Sequence, residues 1–386
     1  MRGERAPLAG ALLAACASAT LAAGCGSSGS APRHIPSERA RLVTQVRHLT
    51  TSQLAGQRIV YAYDGLTPPR SLLRRIRRGE AAGVIFFGVN INGRARLRAT
   101  VQRLERANRQ SPVDAPLLFM TDQEGGLVRR LPGAPDASEK RIGESAGAEA
   151  AAREAGTEAA ANLHAAGINV NLAPVLDVYR RTGDFDDQFE RSYSSDPARA
   201  GALGAAFVDA QQAAGVAATA KHFPGLGAAG SEQNTDVAPV ALDVPLATLR
   251  STDERPFFSA IAAGVKLVML SWATYPALDP RRPAGFSPAA LAELRGRLHF
   301  RGVTITDSLG AGAAAAVGSF SRRAKLAAQA GEDLILCSAQ GPADGTPADG
   351  VAALRSIAAA ISANELPRAG ADEAAVRVLE LRRALS

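Results

Sequence analysis

Residues 302–308 read Gly-Val-Thr-Ile-Thr-Asp-Ser, a short β-branched run that is followed directly by a carboxylate and a hydroxyl. Other short apolar runs recur along the chain, and stretches with helical character lie between them. The eight runs occupy residues 58–63, 83–87, 117–121, 168–172, 216–219, 267–270, 302–306 and 334–337. Strands that are apolar on both faces are typical of parallel sheets covered by helices. The alternation therefore predicts an α/β fold, a closed (β/α)8 barrel of the TIM type.

An open, doubly wound parallel sheet is the alternative that this alternation allows. It would require a phosphate-binding glycine fingerprint after the first strand. Residues 64–69 read Asp-Gly-Leu-Thr-Pro-Pro and are not such a fingerprint. The sequence thus favours the barrel, as a single domain.

The composition is that of a folded soluble protein. Of 386 residues, 46% are hydrophobic and 21% are charged, which excludes collagen-like, disordered and multi-span membrane proteins. The 44 basic and 37 acidic residues give a net charge of +7, and only four of the basic residues are lysines. Because the basic residues are scattered and form no stripe interleaved with aromatic side chains, we expect no nucleic acid partner.

A targeting signal precedes the barrel. Arg2 and Arg5 stand before an apolar run over residues 6–24, which is followed by Cys25 and the Gly-Ser segment 26–30. This arrangement resembles a bacterial lipoprotein signal, which implies cleavage before Cys25 and a lipid on its thiol. We therefore expect an exported protein that is lipid-anchored at the outer face of the cytoplasmic membrane or in the cell envelope.

The predicted domain boundaries follow from this signal. Residues 1–25 form the signal peptide, residues 26–50 a linker and an N-terminal helix, and residues 51–386 the barrel. Two alternatives remain open at this point. Cys16 ends a shorter run of the same kind, and the apolar run could instead be an uncleaved anchor helix.

The body of the chain holds one cysteine, Cys337, beside the apolar residues 334–336. A single cysteine excludes a disulfide within the body, and no Cys and His residues have the spacing of a zinc site. We therefore predict no metal and no cofactor.

Polar side chains follow five of the predicted strands, where a barrel of this kind has its active site. They include Asp122, Asp177, Arg191, Lys221, His222, Ser271 and Asp307. Taken alone, a carboxylate after a strand is as often the N-cap of the next helix, and a Lys or Arg is as often a solvated charge. Charged groups that meet at one barrel mouth, however, indicate a site for a polyhydroxylated ligand, because each can hold hydroxyls by charge-assisted hydrogen bonds.

Five motifs in order resemble the signatures of glycoside hydrolase family 3. They are Asp-Gln-Glu-Gly-Gly at 122–126, Ala-Pro-Val-Leu-Asp-Val at 173–178, Arg-Ser-Tyr at 191–193, Lys-His-Phe-Pro-Gly at 221–225 and Thr-Asp-Ser-Leu at 306–309. The chain ends soon after the eighth predicted strand, so it is similar to the single-domain bacterial β-N-acetylhexosaminidases of that family.

The resemblance implies a retaining glycosidase that needs no cofactor. Asp307 matches the catalytic nucleophile, and Asp122, Arg191, Lys221 and His222 match residues that hold the hydroxyls of the nonreducing sugar. The implied partner is a carbohydrate, an amino-sugar glycoside of the cell envelope such as one derived from peptidoglycan.

The loop after the fifth strand departs from the family pattern. Where the family carries an Asp-Ser-His triplet as general acid and base, this chain has Glu232 in place of the Asp and Asn234 in place of the His. An amide cannot protonate a leaving group at neutral pH. Either Glu232 or Asp236 could serve instead, or the substrate could have a leaving group that needs little protonation. The open alternatives are a β-glycosidase of another sugar preference and a carbohydrate-binding lipoprotein with little catalysis.

Overall fold

The computed structural model describes residues 37–338 and 346–385. Cys25 and the rest of the expected signal peptide lie outside the described residues. Ten strands lie within these described ranges: β1 Ile59–Tyr61, β2 Gly83–Ile85, β3 Leu118–Thr121, β4 Gln123–Gly125, β5 Val128–Arg129, β6 Val170–Asn171, β7 Ala217–Phe223, β8 Leu267–Leu270, β9 Val303–Thr306 and β10 Ile335–Cys337.

Fifteen α-helices surround these strands in the described part of the chain. They are α1 Glu38–Arg47, α2 Thr51–Gly56, α3 Arg70–Arg77, α4 Arg94–Asn108, α5 Glu139–Glu144, α6 Ala148–Ala166, α7 Phe185–Gln188, α8 Pro197–Ala213, α9 Leu246–Thr248, α10 Arg255–Ala262, α11 Pro288–Ala292, α12 Gly312–Ala315, α13 Phe320–Ala330, α14 Pro347–Ser362 and α15 Arg368–Ala384. Short 3-10 turns lie at Gly88–Asn90 and Ala284–Phe286, and π turns at Leu249–Asp253 and Glu293–Arg297. No helix of the described ranges is both long enough and apolar enough to cross a lipid bilayer.

Eight of the strands form one parallel sheet in the order β10-β1-β2-β3-β6-β7-β8-β9. A parallel bridge between Ile305 and Leu334 joins its two edges and closes the barrel. The predicted (β/α)8 barrel is therefore confirmed, and each of the eight predicted runs supplies one barrel strand. The small antiparallel hairpin of β4 and β5 was not predicted.

Strand residues alternate between the inside and the outside of the barrel, as the pleat requires. Val60 and Met120 belong to one apolar cluster inside the barrel, together with Ile305 from β9. Their neighbours Ile59 and Phe119 pack instead in a second cluster with the surrounding helices. Apolar residues on both faces of the strands are thus explained by packing inside the barrel on one face and against the surrounding helices on the other.

Two local boundaries differ from the sequence expectation. The N-terminal helix expected within residues 26–50 is α1, which ends at Arg47, and a second helix, α2, begins at Thr51 because Thr50 caps it and shares a capping box with Gln53. The fifth strand, expected to end at residue 219, continues to Phe223, which pairs with Leu270 of β8. The Lys-His-Phe motif therefore lies on the strand itself.

Candidate active site

A cavity of about 360 Å³ opens at the carboxyl ends of the barrel strands. Its polar lining includes Asp122 after β3, Glu124 in β4, Lys221 and His222 in β7, and Asp307 after β9. Arg191, which follows α7, and Asp236, in the long loop after β7, complete it. A larger cavity of about 1370 Å³ lies at the opposite end of the barrel, where Leu117, Ile168 and Gly215 precede their strands. None of the motif residues lines that second cavity.

Glu124 lies between the two cations of the smaller cavity. Lys221 Nζ is 2.7 Å from Glu124 Oε1, and Arg191 donates two hydrogen bonds to the same carboxylate, from Nε at 2.8 Å and Nη2 at 3.0 Å. Burial opposes the ionisation of Glu124, but the charges of Arg191 and Lys221 outweigh it and hold its pKa well below the usual range. Glu124 is therefore a carboxylate that orients both cations.

Lys221 also pairs with Asp122, whose Oδ1 accepts a hydrogen bond from Nζ at 2.9 Å. Burial alone would raise the pKa of Asp122, yet the nearby Lys221 and Arg130 lower it below its usual value. The same pairing outweighs desolvation at Lys221 and raises the pKa of that ammonium group. Asp122, Glu124 and Lys221 therefore stay charged at neutral pH and present fixed donors and acceptors to the cavity.

Arg191 is turned into the cavity by the backbone of the residue before it. Glu190 has a φ of 57°, and its carbonyl accepts a hydrogen bond from the Lys140 amide. Because Glu190 has a left-handed backbone, the side chains on either side of it point in different directions. Phe189 is 42% exposed, whereas Arg191 is largely buried. Arg191 Nη1 then lies 3.0 Å from Asp186 Oδ1, which gives the guanidinium a second carboxylate.

His222 is held by Asp177, a residue of the 173–178 motif. His222 Nδ1 lies 2.7 Å from Asp177 Oδ2, while Oδ1 of Asp177 accepts the backbone N–H of Leu226 at 2.5 Å. Burial, with a further contribution from Arg191, lowers the pKa of His222 to about 4. Burial raises the pKa of Asp177 to about 6, and burial together with the Asp177 charge raises that of Asp186 to about 7.

Asp177, Asp186 and His222 also offer ligand atoms that lie within 4.8 Å of one another, a spacing that could hold a metal ion. Each is already engaged in the polar network, because Asp177 contacts His222 and Asp186 contacts Arg191. The cluster of acidic groups is thus explained by its role in holding the cavity side chains.

Asp307 is partly exposed to the cavity, just after the end of β9. Its Oδ1 accepts the backbone N–H of Ser308 at 2.6 Å, which fixes the carboxylate at the strand end. Enclosure in the cavity raises the pKa of Asp307 to about 6, and the nearby Asp236 carboxylate acts in the same direction. The group is mostly ionised at neutral pH.

The loop after β7 brings one of its two acidic candidates to the cavity. Asp236 lines the cavity together with Asn234, whose Oδ1 accepts the Asp236 amide at 2.8 Å. Burial raises the pKa of Asp236. Glu232 is exposed and is not part of the cavity lining.

The start of α12 fixes this part of the loop. The backbone N–H of Gly312 donates to the Asp236 carbonyl at 2.8 Å, and the next amide donates to the Thr235 carbonyl at 3.0 Å. A Cβ at Gly312 would collide with the carbonyl of Val237, so only glycine allows this close approach. Asp236 is therefore placed by the same segment that follows Asp307.

The structure thus brings together Asp122, Arg191, Lys221, His222, Asp307 and Asp236 in one cavity. Glu124 and Asp186 are missing from the sequence-based site. Glu124 lies inside the quoted motif two residues after Asp122, so a signal was present but was not assigned a role. Asp186 lies in the short helix α7, far along the chain from any strand end, where the sequence carries no comparable signal.

Comparisons with known proteins agree with this geometry. Residues 53–381 match the family described as "Glycosyl hydrolase family 3 N terminal domain". The chain is 42% identical over 335 residues to an "Uncharacterized secreted glycosyl hydrolase" of Arthroderma benhamiae, covering 86% of this chain and 93% of that protein. It is 35% identical over 271 residues to a "Beta-hexosaminidase" of Stenotrophomonas maltophilia, covering 68% of this chain and 77% of the relative.

Two solved structures have a similar fold. A glycoside hydrolase family 3 β-N-acetylglucosaminidase from a Paenibacillus species superimposes with a TM-score of 0.80 at 32% identity, covering 87% of this chain and 63% of that one. A β-N-acetylhexosaminidase from Beutenbergia cavernae gives a TM-score of 0.77 at 32% identity, covering 86% of this chain and 98% of that one.

Proposed function

This chain belongs to glycosyl hydrolase family 3 and is a glycoside hydrolase, and we propose that it is a retaining β-N-acetylhexosaminidase with Asp307 as nucleophile. One observation carries the proposal. Asp307 projects from the end of β9 into a cavity that already holds Asp122, Lys221 and His222. A carboxylate beside fixed hydroxyl-binding groups is the arrangement that glycosyl transfer to an enzyme needs.

In the first step, the Asp307 carboxylate attacks the anomeric carbon and forms a covalent glycosyl-enzyme, while the bond to the leaving oxygen breaks. The backbone N–H of Ser308 orients one oxygen of this carboxylate. Because the pKa of Asp307 is about 6, the carboxylate is available as a nucleophile at neutral pH.

We assign the general acid and base to Asp236. Its position in the cavity and its raised pKa suit a carboxylic acid that protonates the leaving oxygen. In the second step, the resulting Asp236 carboxylate takes a proton from water, which attacks the anomeric carbon and releases Asp307. Glu232, which is exposed, is the less favourable of the two candidates.

The sugar itself would be held by the charged lining. Lys221 donates from a position fixed by Asp122 and Glu124, and Arg191 from one fixed by Glu124 and Asp186. Donors and acceptors held in this way recognise hydroxyls without a large loss of side-chain entropy on binding. The names of the relatives support an N-acetylated amino sugar at this position. We propose a cell-envelope glycan, such as one from peptidoglycan, as its source, because we expect the chain to be exported.

Export and anchoring belong to the same proposal. A relative from Arthroderma benhamiae is described as secreted, which supports export of this chain. We propose that residues 1–25 are a lipoprotein signal, that Cys25 carries the lipid, and that residues 26–50 connect the anchor to the barrel. The enzyme would then act outside the cytoplasmic membrane.

A panel of aryl glycosides tests the proposal. The parent should hydrolyse aryl β-N-acetylglucosaminide faster than aryl β-glucoside or β-xyloside, and Asp307→Ala should abolish turnover. Asp209→Ala, which removes an exposed carboxylate of α8, is the matched control and should keep the parent rate. Faster glucoside or xyloside hydrolysis would indicate a β-glycosidase of another preference. No hydrolysis of any sugar by the parent would indicate a binding protein.

A further inference from the structure

The excess positive charge of this chain comes from one segment. Residues 62–117, which connect β1 to β3, hold eleven arginines and four acidic residues. The net charge of this segment is +7, the same as that of the whole chain. Basic residues also occur elsewhere, but there an equal number of acidic residues balances them.

Nine of these eleven arginines lie on α3 and α4. The two helices pack side by side on the barrel wall, because they follow the adjacent strands β1 and β2. Each helix turns apolar side chains toward the barrel, among them Leu72 and Ile76 on α3 and Leu97 and Leu104 on α4. The arginines therefore occupy the solvent side of both helices.

Three arginines of α4 lie on the side that faces α3. The opposite side is identified by Arg94, which donates a hydrogen bond to Asn162 of α6 at 3.0 Å. At 3.6 residues per turn, Arg96, Arg103 and Arg106 lie away from Arg94. Since α4 lies between α3 and α6 on the barrel wall, these three residues lie toward α3.

Three arginines of α3 share one side of that helix. Arg70, Arg74 and Arg77 have the spacing i, i+4 and i+7, which places them in one row. Arg75 lies on a different side, where its Nη1 is 2.6 Å from Glu80 Oε2. The backbone of Glu80 packs against the end of α2, so Arg75 is turned toward α2.

We call six of these residues the basic face: Arg70, Arg74, Arg77, Arg96, Arg103 and Arg106. Five of them are exposed and Arg103 is half-buried. Within the described ranges, none of the six is in an ion pair. The helices carry a single carboxylate, Glu105, which lies on the side of α4 that faces α6. Six neighbouring cations without a counter-charge attract a surface of opposite charge.

We infer that the basic face binds the surface of a bilayer that contains anionic lipids. The inference goes beyond the proposed hydrolysis and rests only on the proposed anchor, because a lipid on Cys25 would hold the barrel near a membrane. Residues 26–37 separate Cys25 from α1, and a chain of that length spans at most about 45 Å. Glu38 at the start of α1 lines the same cavity as Arg98 of α4, so the anchored end of the barrel domain lies beside this helix.

The shape of the basic face fits a charged surface better than a single anion. Between Arg96 and Arg106, α4 rises by about 15 Å, so the face is long enough to contact several lipid phosphates. Neither helix carries an aromatic side chain, which a protein that binds single-stranded nucleic acid would use to stack on bases. Because α3 and α4 lie on the barrel wall, a bilayer against them leaves the mouth of the cavity open to a glycan.

Sedimentation with lipid vesicles tests this inference. The full chain is mixed with vesicles of phosphatidylcholine alone or of equal parts phosphatidylcholine and phosphatidylglycerol. We expect at least about tenfold tighter binding to the anionic vesicles at low salt, since each arginine near an anionic surface contributes about fivefold. Salt of about 0.5 M should remove most of this preference, because it shortens the Debye length to roughly 4 Å. The apolar run at residues 6–24 is present in every variant, so differences between variants report the basic face.

Three triple variants identify the residues responsible. The first removes three exposed charges of the basic face: Arg74→Gln, Arg77→Gln and Arg106→Gln. The control removes three exposed arginines from α10, the loop after β8 and α13: Arg255→Gln, Arg281→Gln and Arg322→Gln. We expect the first variant to bind anionic vesicles about 10- to 100-fold less tightly than the parent, and the control less than about threefold. Lysine at the three positions of the first variant should keep the parent's binding, which separates loss of charge from loss of folding.

Four outcomes would overturn the inference. They are equal binding to both kinds of vesicle, an anionic preference that survives the first variant, an equal loss in the control, and a loss that lysine does not restore. Soluble polyglycerol phosphate is a further probe. If the parent bound this polymer and showed no preference for anionic vesicles, the face would belong to an anionic polymer and not to a membrane.

The failure of this inference and that of the proposed function are distinguishable, because vesicle binding is measured without a sugar. Hydrolysis of aryl N-acetylglucosaminide without a preference for anionic vesicles would remove the membrane contact and keep the enzyme. An anionic preference that depends on the basic face, without hydrolysis or without a lipid on Cys25, would keep the membrane contact and remove that part of the proposed function.

Discussion

His222 Nδ1 lies 2.7 Å from Asp177 Oδ2, and both side chains are buried beneath the sugar cavity. At neutral pH the low pKa of His222, about 4, leaves the imidazole neutral, and Asp177, with a pKa of about 6, is mostly ionised. The carboxylate therefore accepts the Nδ1–H, which leaves Nε2 without a proton. His222 is thus set as a hydrogen-bond acceptor at the cavity, and under the proposed function it would accept from a sugar hydroxyl.

Asp177→Asn tests this tautomer. An Asn can keep one oxygen for the Leu226 amide but places an NH2 group against Nδ1, which would move the ring proton to Nε2 and remove the acceptor. We expect kcat/KM to fall about 2- to 10-fold, the scale of one hydrogen bond between neutral groups. In a His222→Ala background, Asp177→Asn should lower kcat/KM little further, because the imidazole on which Asp177 acts is absent. An undiminished loss in that background would show that Asp177 acts only on folding.

Glu124→Gln tests the central carboxylate. The substitution keeps the size of the side chain but removes the charge that Arg191 and Lys221 share. We expect the free energy of unfolding to fall by about 3 kcal/mol, because the two cations lose a buried counter-charge, and kcat/KM to fall with it. Chemical denaturation measures the first effect. Glu149→Gln, on the exposed face of α6, is the matched control and should change stability by less than about 0.5 kcal/mol.

The barrel was predictable because its signal repeats. Eight apolar runs, each followed by a turn or a helix, specify the parallel sheet, and the carboxyl ends of its strands must meet at one mouth. The sequence alone therefore places Asp122, Lys221 and Asp307 at the same barrel mouth. It does not place their partners, since a strand-end position does not say where a side chain points.

Glu124 and Asp186 show what the sequence pattern lacks. Glu124 points at Arg191 because Gly125 and Gly126, both with positive φ, fold β4 back on β5. The two strands of that hairpin are too short to show an alternation of apolar and polar residues in the sequence. Asp186 reaches Arg191 from a helix of four residues within a long loop. Long-range packing, which no local pattern encodes, decides both positions.

Cys25→Ser tests the proposed anchor. The thiol is the atom that would receive the lipid, and serine has no equivalent nucleophile for this modification. We expect the variant to leave the membrane fraction or to retain its first 24 residues, as read by fractionation and by mass spectrometry of the N-terminus. Cys16→Ser is the matched control and should still be processed. A mature parent without lipid at Cys25 would contradict the proposal.

The pKa of Asp307 predicts an acid limb in the rate profile. Because the nucleophile must be ionised, kcat/KM for an aryl glycoside should fall as the pH drops through about 6. A rate that stays level through that pH range would contradict the assignment of Asp307 as the nucleophile.

The identity of the acid and base is tested by comparing the two loop carboxylates. If Asp236 protonates the leaving oxygen, Asp236→Asn should slow hydrolysis of alkyl N-acetylglucosaminides about 10²- to 10⁴-fold. Aryl glycosides should suffer much less in the first step, because a good leaving group departs without a proton. Glu232→Gln makes the equivalent charge change on the exposed side of the loop and should leave both rates near those of the parent.

Azide separates the second step from the first. Without a base to deprotonate water, the Asp236→Asn enzyme should accumulate glycosyl-Asp307, which mass spectrometry of the quenched protein detects. Added azide attacks the intermediate without deprotonation and should restore turnover of the aryl substrate, giving the β-glycosyl azide. If azide restored turnover in Glu232→Gln and not in Asp236→Asn, Glu232 and not Asp236 would be the general acid and base. An unchanged alkyl to aryl ratio and no azide effect in either variant would exclude both carboxylates, because neither would then handle a proton in either step.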